Sequence, residues 1–227
     1  MASTHPICTD IQSTDQAESL FDGISYGKGS AFLKQWYAVL GHEGLKKGLK
    51  TYFAKHAWGN TTLPDFVDAL QQAWDESPDS IMGPDFQLTE WAHQWLFSSG
   101  INILEPVATY DSEGVLTGLS VKQTMGLRGA NRLRKQKISV ALFNDAGNMF
   151  RVPNVVLSEK EEVTVVTGLP EGWKVAAIYL NEGLDGYAKV RFDAKSVAWL
   201  TANLDRVADP VTRGAVWRYM HLLVMDR

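Results

Sequence analysis

Three observations predict an α+β chain whose helices and strands lie in separate blocks. Apolar residues recur at helical spacing from residue 27 to about 97. They alternate with a period of two from about Ile101 to Phe192, and helical spacing returns over 194–227. This order does not fit an alternating βαβ sheet. It sets three expected domains: 1–100, helical; 101–193, a β-sandwich; and 194–227, helical again.

In the first block Leu45, Leu49, Tyr52, Phe53 and His56 are expected on one helix face, with Lys46, Lys47 and Lys50 off it. Leu63, Phe66, Val67, Leu70 and Trp74 form a second such face. Thr62 and Asp65 have the spacing of a capping box, and Pro64 suits a first helical turn. Gly59-Asn60 reads as the stop between the two helices. A short third helix is expected from Thr89, carrying Trp91, Trp95 and Leu96 and ended by Gly100.

In the second block Val115, Thr117, Leu119 and Val121 alternate with Leu116, Gly118 and Ser120. Ile138, Val140 and Leu142 alternate with Lys137, Ser139 and Ala141. Val163–Val166 and Val175–Leu180 are further strand candidates. Turns are expected at Asp111-Ser112-Glu113-Gly114, Asp145-Ala146-Gly147-Asn148 and Pro170-Glu171-Gly172. Short strands at this spacing predict a small antiparallel sandwich. In the last block Val197, Leu200 and Leu204 precede Val216, Tyr219, Met220 and Leu223, and Asp209-Pro210 opens the second helix. Two helices cannot bury all their faces, so a C-terminus cut short is expected.

Composition narrows the function classes. With 45% hydrophobic residues, 21% charged and eight Trp among 227, the chain has what a packed core needs. A net charge of -4 gives no bias toward nucleic acid or an anionic membrane, and neither partner is expected. Cys8 is the one cysteine, so no disulfide forms within the chain and a reducing, cytoplasmic setting is expected. No apolar run approaches the roughly 18–20 residues of a membrane span. Met1-Ala2-Ser3-Thr4 lacks the charged region of a signal peptide.

Several groups invite a sharper reading than their setting supports. His56 on an apolar face is expected to be a core or helix-end histidine rather than a metal ligand. Arg128, Arg132, Arg134, Lys135 and Lys137 are expected on a solvated loop face. Asp75, Glu76 and Asp79 read as an exposed loop without a metal. Trp36, Trp58, Trp74, Trp91 and Trp95 read as core or as helix–sheet interface, with an aromatic peptide-binding surface as the alternative. Gly27-Lys28-Gly29-Ser30 lacks the first glycine and the preceding strand of a phosphate loop.

The segment Phe21-Asp22-Gly23-Ile24-Ser25-Tyr26-Gly27-Lys28-Gly29-Ser30 carries more. It resembles the tyrosine segment of zinc aminopeptidases of the aminopeptidase N and puromycin-sensitive type, the gluzincins. His5-Pro6-Ile7 precedes it as in that family. Gly48-Leu49, Tyr52-Phe53 and His56-Ala57-Trp58-Gly59-Asn60-Thr61-Thr62 resemble the next helix pair and its turn. Trp91, Trp95-Leu96 and Gly100-Ile101-Asn102 resemble the exit from the catalytic domain. Asn181, Tyr187-Ala188-Lys189-Val190 and Phe192-Asp193 resemble the end of the sandwich domain. Leu204, Asp209-Pro210-Val211-Thr212-Arg213 and Val216-Trp217 resemble the start of the helical C-terminal domain. Each match alone is weak; their shared order along nearly the whole chain is specific. The last residues, Met220 to Arg227, depart from the family's continuation.

The resemblance implies the helical end of a thermolysin-like catalytic domain, then the sandwich, then the first helices of a helical domain. It implies a parent reaction, removal of N-terminal residues from peptides, with zinc as cofactor and a peptide as substrate. Tyr26 corresponds to the catalytic tyrosine. A phenol keeps its proton at neutral pH and can donate to the oxyanion of the transition state. Phe21, five residues earlier, corresponds to a wall of the pocket for the first substrate side chain. In the family two His and a Glu hold the zinc, and a Gly-Ala-Met-Glu-Asn segment holds the substrate amine. Neither HExxH nor that segment occurs in the 227 residues, and His5, His42, His56, His93 and His221 contain no i,i+4 pair. The chain alone is therefore expected to bind no zinc and to be inactive, and the zinc-bearing part is expected as a separate chain. The competing reading is a non-catalytic protein-interaction module derived from that family.

Overall fold

Capping side chains start two of the helices of the first hundred residues, and an aromatic core holds the helices together. The computed structural model describes residues 4–78, 80–126 and 132–225. The chain divides into two units, Met1–Gly100 and Ile101–Arg227.

In the first unit α1 spans Thr14–Ser19, where the Ser13 hydroxyl accepts the Gln16 N–H at 3.2 Å. The helix buries none of its residues, so no apolar periodicity signals it. A π-helical turn, Ile24–Lys28, runs directly into α2, Gly29–Lys55. Gly41, at φ 68° and ψ 175°, breaks α2 in two, a conformation glycine adopts without a Cβ clash. Next come α3, Leu63–Glu76, and α4, Leu88–Leu96. Asp65 opens α3 by accepting both the Thr62 N–H and the Thr62 hydroxyl at 2.8 Å. Phe32 lies at the centre of the core, its ring 5.4 Å from Trp36, 5.0 Å from Trp91 and 5.6 Å from Trp95.

Four expectations are corrected in this unit. The α2 face toward α3 carries Gly48, where a Cβ would lie 2.3 Å from Leu70 Cδ2, so the backbone approaches closely there, and Tyr52 meets Phe66 at 5.3 Å on the same seam. Phe53, expected on that face, is 65% exposed. Trp58, expected in the core, is fully exposed. The Gly59 N–H to His56 carbonyl bond closes a tight turn in which Trp58 takes φ 61°. Gly100 does not end α4; the helix stops at Leu96 with Phe97 as its cap, and Gly100 turns the chain at φ 79° further on. Asp75 and Glu76 lie in the last turn of α3 rather than in a loop, and Asp79 falls outside the described residues.

Among its described residues the second unit has seven strands in two sheets. They are β1 Asn102–Tyr110, β2 Leu116–Met125, β3 Gln136–Phe143, β4 Met149–Leu157, β5 Val163–Val165, β6 Ala177–Glu182 and β7 Ala188–Val190. One sheet has the order β5-β2-β1-β7 and the other β4-β3-β6. Both contribute to a single core that includes Leu104, Leu119 and Val121 from the first and Ile138, Val140, Leu142 and Leu180 from the second. The pairing is antiparallel except for β1 with β7, which is parallel. The chain leaves β6 through Asn181, Gly183 and Leu184, all at positive φ, and β7 joins the other sheet.

The β2 alternation also departs from expectation. Leu116, Leu119 and Val121 are buried while Thr117 is exposed. The register slips between Thr109 and Tyr110, leaving Thr117 as the extra residue of a bulge, and the facing phase changes across it. β3 is buried along its whole length because both its faces are covered. Ile138, Val140 and Leu142 face the shared core; Ala141 and Phe143 meet α5, Ala194–Asn203, and α6, Pro210–Met225, through Leu200, Ala215 and Val216. Asp209 caps α6, accepting the Thr212 N–H at 2.7 Å.

Arg134 overturns the solvated-face expectation. It is wholly buried and donates to Asn102 Oδ1 at 2.8 Å, while Gln123 donates to the Arg134 carbonyl at 3.0 Å and Gln136 to Gln123 at 2.9 Å. Burial lowers the guanidinium pKa to about 10. Lys137 is also buried, and Arg128 lies outside the described residues.

Candidate functional site

Tyr26 sits at the middle of the Ile24–Lys28 turn, and its side chain is 62% exposed. Single π-turns of this kind interrupt regular helices and often carry functional side chains. The turn is fixed at both ends. At its start the Asp22 carboxylate accepts the Ile24 N–H at 2.8 Å and the Ser25 N–H at 3.2 Å through one oxygen. Its other oxygen meets His5 Nε2 at 3.0 Å. The Ser25 hydroxyl donates to the Leu20 carbonyl at 2.8 Å, and the Tyr26 N–H donates to the Asp22 carbonyl at 3.3 Å. At its end Lys28 is buried to 1% exposure and its amine donates to the Ser98 carbonyl. That ammonium is committed to the fold and is not available to a phosphate.

Phe21 is 70% exposed and meets the Tyr26 ring edge to face at a centroid distance of 5.0 Å. The two residues that the sequence singles out are thus brought together. Beside Tyr26 opens a cavity of about 350 Å³, walled by Phe32, Leu33, Trp36, Leu63 and Phe66. Its walls are apolar, with Ser25, Ser30 and the Tyr26 phenol as the polar groups beside them.

Hydrogen bonds from His5 and from the Ile24 and Ser25 N–H groups hold the Asp22 carboxyl below the usual carboxylate range. The bond to Asp22 raises the His5 imidazole, the Pro6 carbonyl adds to this, and burial and Lys28 oppose it. Nothing in the spacing of His5 and Asp22 signals that they pair. The signal available was their membership in one motif set; 17 positions of chain separate them. Lys28 as an anchor was likewise missed. Its partner Ser98 lies 70 positions away.

Zinc, implied by the resemblance, meets no fitting donor set. Among the described residues no group of three or more His, Cys, Asp or Glu converges. His5 is held by Asp22, His56 lies 3.9 Å from Asp65, and His93 stacks on Phe97 at 4.6 Å. The described side chains do not fit a zinc site. Among the described residues no helix is long and apolar enough to cross a membrane.

Comparison with known proteins places these features in a wider setting. The model of the peptidase family M1 domain matches residues 1–95. Aminopeptidase N of Streptomyces lividans is 35% identical over 224 residues, covering 96% of this chain and 25% of the relative. Tricorn protease-interacting factor F2 of Thermoplasma volcanium is 24% identical over 92% of this chain and 23% of its own length. Aminopeptidase N of Lactobacillus helveticus is 29% identical over 83% of this chain and 20% of its own length. The chain spans about a quarter or less of the length of these curated relatives.

Proposed function

Since the chain belongs to the peptidase M1 family, we propose that it is the tyrosine-bearing portion of a zinc aminopeptidase that removes N-terminal residues from peptides. In this reading 1–100 closes the catalytic domain, 101–193 is a β-sandwich domain and 194–227 begins a helical domain. The observation that carries it is the seating of Tyr26: an exposed phenol on a turn tied down at both ends, beside an apolar cavity.

The chain's own residues would act as follows. Asp22 and Lys28 fix the turn. Tyr26 then presents its O–H without having to order it at the moment of reaction. When a peptide carbonyl becomes tetrahedral, that O–H donates to the oxyanion, a contact stronger in the transition state than in the substrate. Phe21 would wall one side of the space for the first substrate side chain. No step here requires a metal ligand from these residues, and we propose that the chain alone binds no catalytic zinc and hydrolyses nothing. The setting proposed is cytoplasmic.

The test is co-expression with a chain carrying HExxH and its downstream Glu, followed by an assay with aminoacyl anilides. Turnover by the pair and none by the chain alone supports the reading. Stoichiometric, chelator-sensitive zinc and turnover in the chain alone overturns it.

A second reading is favoured by Trp58 and Trp217, aromatic side chains left to solvent. In it the chain is a non-catalytic protein-interaction module derived from the same family. Failure of any zinc-bearing partner to restore turnover, together with stable binding of another protein, would select it.

A further inference from the structure

Among the described residues the His5 ring meets two acceptors. Nδ1 lies 2.7 Å from the Pro6 carbonyl and Nε2 lies 3.0 Å from the Asp22 carboxylate. A carbonyl oxygen only accepts, and so does an ionised carboxylate. Both ring nitrogens must therefore carry hydrogen for both contacts to be bonds, which makes the ring an imidazolium. A neutral ring satisfies one contact and turns a lone pair toward the other acceptor. The same carboxylate, through its second oxygen, caps the turn that seats Tyr26.

We propose that His5 is a positioning residue for Tyr26 acting through Asp22, so that loss of the His5 proton loosens the seat of the phenol. The significance for catalysis rests on the aminopeptidase reading; the coupling between His5 and the turn does not. Two charged groups act on the ring: Asp22, which favours its proton, and Lys28 at the end of the same turn, which opposes it. The His5 pKa is raised above the ordinary imidazole value of 6.5. Its contribution is therefore complete below that value and is lost as pH rises through the raised value. The Asp22 carboxyl is lowered from 3.8, so its contribution holds above that value and is lost as pH falls through the lowered one. The seat is tightest between these limits.

The experiment is an NMR titration of the intact 227-residue chain, following the His5 ring, the Ile24 and Ser25 amides and the Tyr26 ring. The expected result is a His5 midpoint above 6.5, both ring nitrogens protonated below it, and Ser25 and Tyr26 signals that move with the same midpoint. Asp22→Asn should lower the His5 midpoint and uncouple Tyr26 from it. Should Asp22→Asn fail to fold, the titration of the unmodified chain decides alone. Tyr26 and Ser25 signals that stay flat through the His5 transition overturn the proposal, as does a His5 midpoint at or below 6.5. No substrate, metal or partner enters the measurement, so its failure is separate from any failure of the aminopeptidase assay.

Discussion

Tyr26 is exposed on a turn whose flanking residues are anchored. Asp22 spends one oxygen on two backbone N–H groups, Lys28 buries its amine against Ser98, and the residue between them points outward. Elsewhere single residues carry the opposite burden. Arg134 is a charge taken wholly out of water, and Asn102 is one of its acceptors. Removing one partner of a buried hydrogen bond costs more than the bond itself, because the other partner stays desolvated. Asn102→Ala is therefore predicted to destabilise the chain by about 1–3 kcal/mol in urea unfolding, whereas Lys160→Ala, on the exposed loop before β5, should be close to neutral. At this scale the sequence was legible where one short motif holds both residues, as with Phe21 and Tyr26, whose rings meet at 5.0 Å. It was not legible where a distant partner decides the role. Nothing near Arg134 in the chain distinguishes it from Lys135, yet Asn102, 32 positions away, accepts from its buried guanidinium.

Among elements, the α2–α3 seam is set by a glycine. A methyl at Gly48 would meet Leu70 Cδ2 at 2.3 Å and Leu70 Cα at 3.2 Å, and the second contact is with backbone that cannot swing aside. Gly48→Ala should lower stability by about 1–3 kcal/mol despite the better helix propensity of alanine. In the Leu70→Ala background the penalty should shrink, and equal penalties in both backgrounds would show that the seam is looser than described. Periodicity placed Leu45, Leu49, Tyr52 and His56 on a half-buried α2 face with Lys46, Lys47 and Lys50 exposed, but it missed Gly48 and misplaced Phe53. A pattern of large apolar residues cannot register a contact made by backbone. The β2 phase failed for a related reason, since one extra residue at Thr117 shifts which side chains face in, and nothing in a hydrophobic count reports a bulge. By contrast, the start of α3 and the Asp209 cap of α6 were readable, because capping is local chemistry over three residues.

For the whole molecule, stability should respond to pH at its acid edge. Bonds from Thr62 lower the Asp65 carboxyl, and bonds from Thr212 lower that of Asp209; both cap helices. A lowered carboxylate stabilises above its ordinary value of 3.8, and that contribution is lost as pH falls through the lowered value. The thermal midpoint should therefore drop in acid, and Asp209→Asn should blunt that drop. The α+β division of the chain was visible in the change of period, whereas the parallel β1–β7 pair was not, because it depends on which sheet the chain enters after β6. The match of residues 1–95 to the peptidase family M1 domain and the 35% identity to an aminopeptidase N set the functional frame, and the proposed role of Tyr26 within it is open to a direct kinetic test. In the co-expressed pair with a zinc-bearing chain, turnover of an aminoacyl anilide is measured for the native residue and for Tyr26→Phe. The account predicts a fall in kcat of about 10²–10³ with KM little changed. A Tyr26→Phe enzyme with kcat equal to that of the native pair would contradict it.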